Sequence, residues 1–127
     1  KMPFDLGRIF HQRHYVTALL EIDVTTAWDA VRALPRDDDR YSFLSWLLKC
    51  VADCVAAHPE AAGFNQPRRG KVMVFTDADI SIVLEKEVGG SWVPLPYVLR
   101  AAQTKTALQI HRELEAAKAQ AVVEASE

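Results

Sequence analysis

The sequence predicts an α/β protein, a two-layer sandwich in which helices cover one face of a mixed sheet. Two patterns indicate this fold class. Short apolar segments alternate with the two-residue period of strands, and longer segments repeat their apolar residues every three or four positions, as helices do. The expected order of strands and helices along the chain favours helices packed on a sheet. The 127 residues are enough for one domain, spanning residues 1–127, with a core of its own.

The first third of the chain is predicted to contain a lead-in, a strand and a helix. Residues 1–14 show no clear period, and the alternation over Tyr15–Asp23 is typical of a strand with one buried face. Thr25 or Thr26 is expected to cap a helix that ends just before Pro35. The side chains expected to face the core are Val16, Ala18, Leu20 and Ile22 in the strand and Ala27, Val31 and Leu34 in the helix.

The segment from Ser42 to about His58 is predicted to be a well-buried helix. Its apolar residues form a wide arc, which indicates burial on more than one side. Cys50 and Cys54 lie on this arc, where they are expected to be core residues, and a helix would point both the same way and hinder a bond between them. The arc comprises Phe43, Leu44, Leu47, Leu48, Cys50, Val51, Cys54 and Val55, and leaves Lys49, Asp53 and Ala57 outside.

The following segments are predicted to be strands. Lys71–Phe75 and Ile80–Lys86 are short strands, and Gly89–Gly90 permits a tight reversal into a third strand at Trp92–Leu99. The two prolines of this third strand lack ladder donors, which predicts an edge strand or an irregular strand. We therefore expect a hairpin from residue 80 to residue 99.

The last helix is predicted to begin at Thr106. Gln109 follows three residues later, as in a capping box that satisfies free amides at a helix start. Residues 124–127 have nothing to pack against and are expected to fray. One face of the helix carries Ala107, Ile110, Leu114, Ala117 and Ala121.

Composition excludes several classes of function. The net charge is −2, with basic and acidic residues mixed, so no basic field favours nucleic acid. No apolar run is long enough to span a bilayer, and the N-terminal residues lack a secretory pattern, so we expect no membrane partner and a cytoplasmic location. Two free thiols suit a reducing compartment.

Arg36–Arg40 is predicted to be a solvated loop. Its three adjacent aspartates could attract a hard cation, but the loop has neither a glycine at the turn nor a bidentate glutamate at ligand spacing. We therefore expect no metal site.

The four histidines are the first residues to consider for acid–base chemistry. His11 and His14 could converge on one ligand if their segment is helical, yet neither has a nearby serine nucleophile or a third ligand. We expect both to have surface or capping roles. His58 is expected to interact with the dipole at a helix C-terminus, and His111 is expected to pair with Glu115 on a solvated helix face.

Aromatic residues offer an alternative site. Trp28, Trp46, Trp92 and Tyr97 could form a ligand-binding surface, although core packing is expected for two of the three tryptophans. Trp92 follows the glycine turn and could stand at the rim of a sheet.

Three segments of the chain resemble segments of the catalytic domain of the dihydrolipoamide acyltransferases, the acyltransferases of 2-oxoacid dehydrogenase complexes. The three occur in the same order as in that family. Trp92–Ala119 resembles the family's apolar strand with a Val-Pro pair, followed by Arg-Ala, a lysine turn and a helix. Ala57–Glu60 is similar to a helix that ends in His-Pro-Glu, and Glu21–Thr25 is similar to the entry from a strand into a helix.

The resemblance implies the N-terminal half of a chloramphenicol-acetyltransferase-like fold, a trimeric homo-oligomer, and coenzyme A or acyl-coenzyme A as ligand without a metal. In the family the catalytic base is a histidine in a His-x-x-x-Asp-Gly motif, and none of the four histidines here is followed by that pattern. We therefore assign no catalytic residue and no coenzyme-binding residue, and expect no acyl transfer by these residues alone. A non-catalytic binding or self-assembly module and an unrelated two-layer domain remain the alternatives.

Overall fold

The computed structural model describes residues 17–35, 39–66, 69–88 and 90–120. Both helices and strands occur within these ranges, so the predicted α/β class is confirmed. Two short 3₁₀ helices, Pro59–Ala62 and Ala102–Thr104, connect the longer elements. In chain order the longer elements are α1 (Thr25–Arg32), α2 (Phe43–Ala57), β1 (Phe64–Gln66), β2 (Lys71–Met73), β3 (Ile80–Val88), β4 (Ser91–Leu99) and α3 (Ala107–Ala119).

Side-chain caps set the starts of α2 and α3. Ser42 caps α2 by accepting a hydrogen bond from the Ser45 amide at 3.2 Å. At α3 the predicted capping box is present: Thr106 Oγ1 accepts from the Gln109 amide at 3.2 Å, and Gln109 Oε1 accepts from the Thr106 amide at 2.8 Å. The starts of both helices agree with those predicted from the sequence.

The strands of the described residues form two separate antiparallel pairs instead of one mixed sheet. β1 pairs with β2, and β3 pairs with β4 in a register that places Ile80 opposite Leu99. Gly90 has a φ of +82°, a value that favours glycine, and it supports the predicted hairpin reversal. The predicted hairpin is therefore confirmed, whereas Lys71–Phe75 forms a strand only over β2 and pairs with β1.

The core lies between the β3–β4 hairpin and the two longer helices. α2 packs against α3, and α3 packs against β3. Along β4 the side chains alternate between the core and solvent, so that Leu99 is fully buried while Val98 is exposed. The buried cluster comprises Leu48, Ala52, Leu84, Leu99, Ala102, Ile110, Leu114 and Ala117.

The predicted strand at Tyr15–Asp23 is wrong where the structure describes it. Residues 17–24 have no regular secondary structure, and Leu19 and Leu20 are 95% and 84% exposed. No strand in the described residues pairs with this segment, and a single strand cannot satisfy its backbone groups without a neighbour. The alternating pattern therefore indicates that one face of the segment could be buried. A strand also needs a neighbouring strand to bond its backbone groups, and the pattern does not provide one.

The start of α1 also differs from the prediction. Thr25 is the first helical residue and Val24 is the cap, with no side-chain hydrogen bond of its own. Asp23 supplies the acceptor instead, since its Oδ1 receives hydrogen bonds from the Thr25 amide at 2.9 Å and the Thr25 hydroxyl at 2.6 Å. Both bonds favour the ionised carboxylate, so the pKa of Asp23 lies below its usual value. As predicted, Val31 of this helix is buried.

The wide apolar arc predicted for α2 is wrong in extent. Ser45, Leu48 and Ala52 are its buried residues, whereas Leu44 and Val51 are 44% and 42% exposed. α2 contacts α3 and the 3₁₀ turn after β4, so the described residues cover one side of the helix.

The cysteines on this helix are less buried than expected. Both are free, but Cys50 is half-buried and Cys54 is exposed, which corrects their expected place in the core. The predictions for residues 1–14, 36–38, 121 and 124–127 fall outside the described residues.

Candidate functional site

A cleft of about 650 Å³ lies where α1, the start of α2 and α3 meet. Its wall combines aromatic, basic and hydroxyl side chains, the groups that commonly orient a small-molecule ligand. The lining residues are Trp28, Val31, Arg32, Arg40, Tyr41, Ser42, Phe43 and His111.

The aromatic wall of the cleft is built from two helices. The rings of Trp28 and Phe43 pack edge to face, with centroids 5.0 Å apart and an interplanar angle of 64°. Phe43 also lies against Trp46 at 5.3 Å. Trp28 remains 43% exposed, so part of its ring is available to a ligand.

Three cationic or ionisable side chains converge on the same cleft. Arg32 comes from the last turn of α1, Arg40 precedes α2, and His111 projects from α3. The carboxylate of Asp39 stands near Arg112, at 3.7 Å from Nη2. Among the described residues, no hydrogen bond or ion pair involves the guanidinium group of Arg32 or of Arg40.

His111 is half-buried and lines the cleft. Its expected partner, Glu115, forms an ion pair with Lys118 at 2.8 Å. The hydrogen bond from Lys118 is the main reason that the pKa of Glu115 lies below its usual value, and the charge of His111 adds a smaller effect.

A second polar cluster joins the hairpin to α3. The Tyr97 hydroxyl donates to Glu113 Oε1 at 2.9 Å, and Lys105 Nζ contacts the other oxygen of the same carboxylate. Burial, and then the hydrogen bond to Glu113, raises the pKa of Tyr97 above its usual value. Each polar group of this cluster has a partner, so the cluster fastens the two elements together.

A hydrogen-bonded loop network fixes the turn after β4. Asp79 accepts a hydrogen bond from the Ala101 amide at 2.8 Å and pairs with Arg100, and Gln103 Oε1 accepts from the Ala78 amide at 2.9 Å. The Ala101 amide first and Arg100 second lower the pKa of Asp79 below its usual value. Ala101 itself has a φ of +46°, which is uncommon outside glycine. This network borders a second cleft, of about 430 Å³, that includes Asp77 and Asp79.

The remaining candidates from the sequence do not assemble into a catalytic group. His11 and His14 lie outside the described residues, and His58 is the C-cap of α2 with its side chain 72% exposed. Trp92 stands at the end of the hairpin and is 69% exposed, in agreement with a rim position. In the described parts of the chain, no three His, Cys, Asp or Glu residues are grouped to hold a metal ion.

Sequence reasoning missed Arg32, Arg40 and Tyr41 as site residues. Arg32 was part of a helix end and Arg40 part of a charged loop, and these positions are eight residues apart. One usable signal is the run Arg40-Tyr41-Ser42-Phe43, which places a basic side chain, hydroxyl groups and aromatic rings next to one another at a helix start.

Comparison with known families decides the relationship that the sequence segments suggested. The model of the 2-oxoacid dehydrogenases acyltransferase (catalytic domain) family matches residues 10–124. The chain belongs to this family. The acyltransferase match spans the cleft, the hairpin and α3. A comparison with curated proteins and one with solved structures found no match.

Among the helices in the described ranges, none has the length and apolar character needed to cross a bilayer.

Proposed function

We propose that this chain is a coenzyme A-dependent acyltransferase-like domain that binds the acyl thioester and needs groups from elsewhere to transfer the acyl chain. The observation that supports it is the family match over residues 10–124, which covers most of the chain. Coenzyme A supplies the activated acyl group as a thioester, and no metal is needed for that chemistry.

Acyl transfer requires a base and an oxyanion stabiliser. The base deprotonates the acceptor, and hydrogen-bond donors stabilise the charge that develops on the thioester oxygen. None of the four histidines in these 127 residues stands in a His-x-x-x-Asp-Gly pattern. Tyr97 and Lys105 are already engaged with Glu113, so neither offers a free acid or base. We therefore propose that these residues bind the thioester but do not transfer the acyl group by themselves.

Self-association is the second candidate function, and exposed apolar surface favours it. The outer face of the hairpin exposes Val83 and Trp92 at 67% and 69%, and Leu19, Leu20 and Ile22 are exposed on the segment before α1. Exposed apolar residues of this size are candidates for protein–protein contact. A homotrimer is the assembly proposed here, by analogy with the family.

The proposed location is the cytoplasm. The free thiols Cys50 and Cys54 suit a reducing compartment.

A calorimetric titration with acetyl-coenzyme A tests the proposal, with light scattering on the same sample to measure its mass. We expect saturable binding, and no release of free coenzyme A when dihydrolipoamide is added as acceptor. Binding with measurable transfer would contradict the proposed need for further groups. A stable oligomer that does not bind acetyl-coenzyme A would replace the proposal with the assembly function.

A further inference from the structure

We propose that the cleft between α1 and α2 binds a phosphorylated adenosine, with Arg32 and Arg40 on the phosphates and the Trp28 ring against the purine. This inference rests on the proposed function, because coenzyme A carries such a group at the end remote from its thioester. It names a binding site for one part of that ligand.

The charge of the cleft supports an anionic ligand. Arg32 and Arg40 come from different elements, and neither guanidinium is bonded to another described group. A guanidinium fork matches the geometry of phosphate oxygens and can donate two parallel hydrogen bonds. Asp39 precedes Arg40 in the chain, but its carboxylate lies 3.7 Å from Nη2 of Arg112. Two converging arginines therefore present donors that a phosphate would satisfy.

The aromatic side chains support a planar ring next to the phosphates. Trp28 is braced edge to face by Phe43, which restricts its orientation while 43% of the residue remains exposed. Bases stack on such rings without needing specific hydrogen bonds. Tyr41 and His111 supply further polar atoms on the cleft wall that could contact a ribose or a base edge.

The size and the competing cleft also favour this assignment. The cleft volume of about 650 Å³ lies within the range of roughly 300–1,000 Å³ that is common for small-molecule sites. The second cleft is smaller, at about 430 Å³, and its ionisable lining residues are the carboxylates Asp77 and Asp79. Like charges disfavour phosphate there, so the cleft with the arginines is the better anion site.

The test uses adenosine 3′,5′-bisphosphate as probe and the whole chain as protein. Calorimetry should give saturable binding to the wild type, and Arg32→Ala and Arg40→Ala should each weaken it by about tenfold, the effect expected for a charged hydrogen bond. Arg69→Ala is the matched control, because Arg69 is exposed and does not line the cleft. The control should change the dissociation constant by less than about twofold, since a remote exposed charge has a small effect. Circular dichroism of each variant verifies that it is folded.

Parallel titrations with acetyl-coenzyme A and with AMP separate this inference from the proposed function. Tighter binding of acetyl-coenzyme A than of AMP, weakened by both arginine variants, supports both. Acetyl-coenzyme A binding that is unchanged in both variants would overturn the cleft assignment and leave the proposed function standing. Arginine-dependent binding of adenosine 3′,5′-bisphosphate without binding of acetyl-coenzyme A would support the nucleotide site and overturn the proposed function. No binding of the bisphosphate would refute the inference.

Discussion

Leu44 and Leu48 lie one turn apart on α2 and provide a sharp test of which side of this helix faces the core. Leu48 is 6% exposed and belongs to the buried cluster, whereas Leu44 is 44% exposed. Replacing either residue by alanine removes the same atoms from the same helix, and leucine and alanine differ little in helix propensity. The two variants therefore differ mainly in burial.

The expected magnitudes follow from that burial. Leu48→Ala removes three carbons from the core, worth about 2.4 kcal/mol at about 0.8 kcal/mol each, and the cavity left behind raises the loss to about 3–4 kcal/mol. Leu44→Ala leaves no enclosed cavity and should cost about 1 kcal/mol or less. The difference of at least about 2 kcal/mol is large compared with the total stability of about 5–15 kcal/mol that is usual for a domain.

Urea denaturation followed by far-ultraviolet circular dichroism measures both losses. At typical m values of about 1–3 kcal/mol/M, Leu48→Ala should lower the midpoint by about 1–4 M, and Leu44→Ala should lower it several-fold less. Similar losses in the two variants would refute the packing described for α2, because both leucines would then be equally buried, as the sequence pattern alone predicted.

Three further predictions concern the caps and turns. Thr106→Ala should destabilise the domain by about 1 kcal/mol in urea denaturation, because the α3 capping box loses its hydroxyl acceptor; an unchanged midpoint would contradict this role. Ala101→Gly should raise the midpoint, with a gain of about 0.5–1 kcal/mol, because glycine adopts a positive φ without strain; a loss of stability would show that the turn is not strained. The ionised carboxylate of Asp79 stabilises the folded state at pH values above its usual pKa, near 3.8. This stabilisation is lost as the pH falls from there through the lowered pKa of the folded state. The stability gap between wild type and Asp79→Asn, measured by thermal unfolding from pH 7 to pH 2, should therefore close below about pH 3.8; a gap that stays constant would contradict this linkage.

Local sequence patterns predicted the elements that depend on nearby residues. The capping box at Thr106 and the glycine turn before Ser91 satisfy backbone groups within a few positions, so their structural outcome follows from the local sequence. Ile110 and Leu114 were predicted on the inner face of α3 and are buried there. These features needed no knowledge of distant contacts.

Features that depend on distant partners were predicted less well. The alternation over Tyr15–Asp23 is strand-like, but a strand also needs a neighbour, which the pattern cannot supply. The prediction that the wide apolar arc of α2 is buried failed for the same reason. Periodicity shows which residues could be buried, but it does not show how many neighbouring elements cover the helix. Cys54 lies on the predicted arc, yet it is exposed because the described residues cover only one side of the helix.

The candidate cleft shows the same division. Trp28 and His111 were considered from the sequence, one as part of an aromatic surface and the other as a solvated residue, and nothing in the pattern joined them. Arg32 and Arg40 both line the cleft, although they are eight residues apart in the sequence. The family relationship came from short segments in the correct order, and that order does not identify which side chains converge.

The most direct test of the account is a nuclear magnetic resonance titration of the ¹⁵N-labelled chain with acetyl-coenzyme A. The account predicts saturable shifts of the Trp28 indole N–H and of the backbone amides from Arg40 to Phe43, with the amides from Thr76 to Asp79 at the second cleft unchanged. An absence of shifts, or shifts confined to the second cleft, would contradict it.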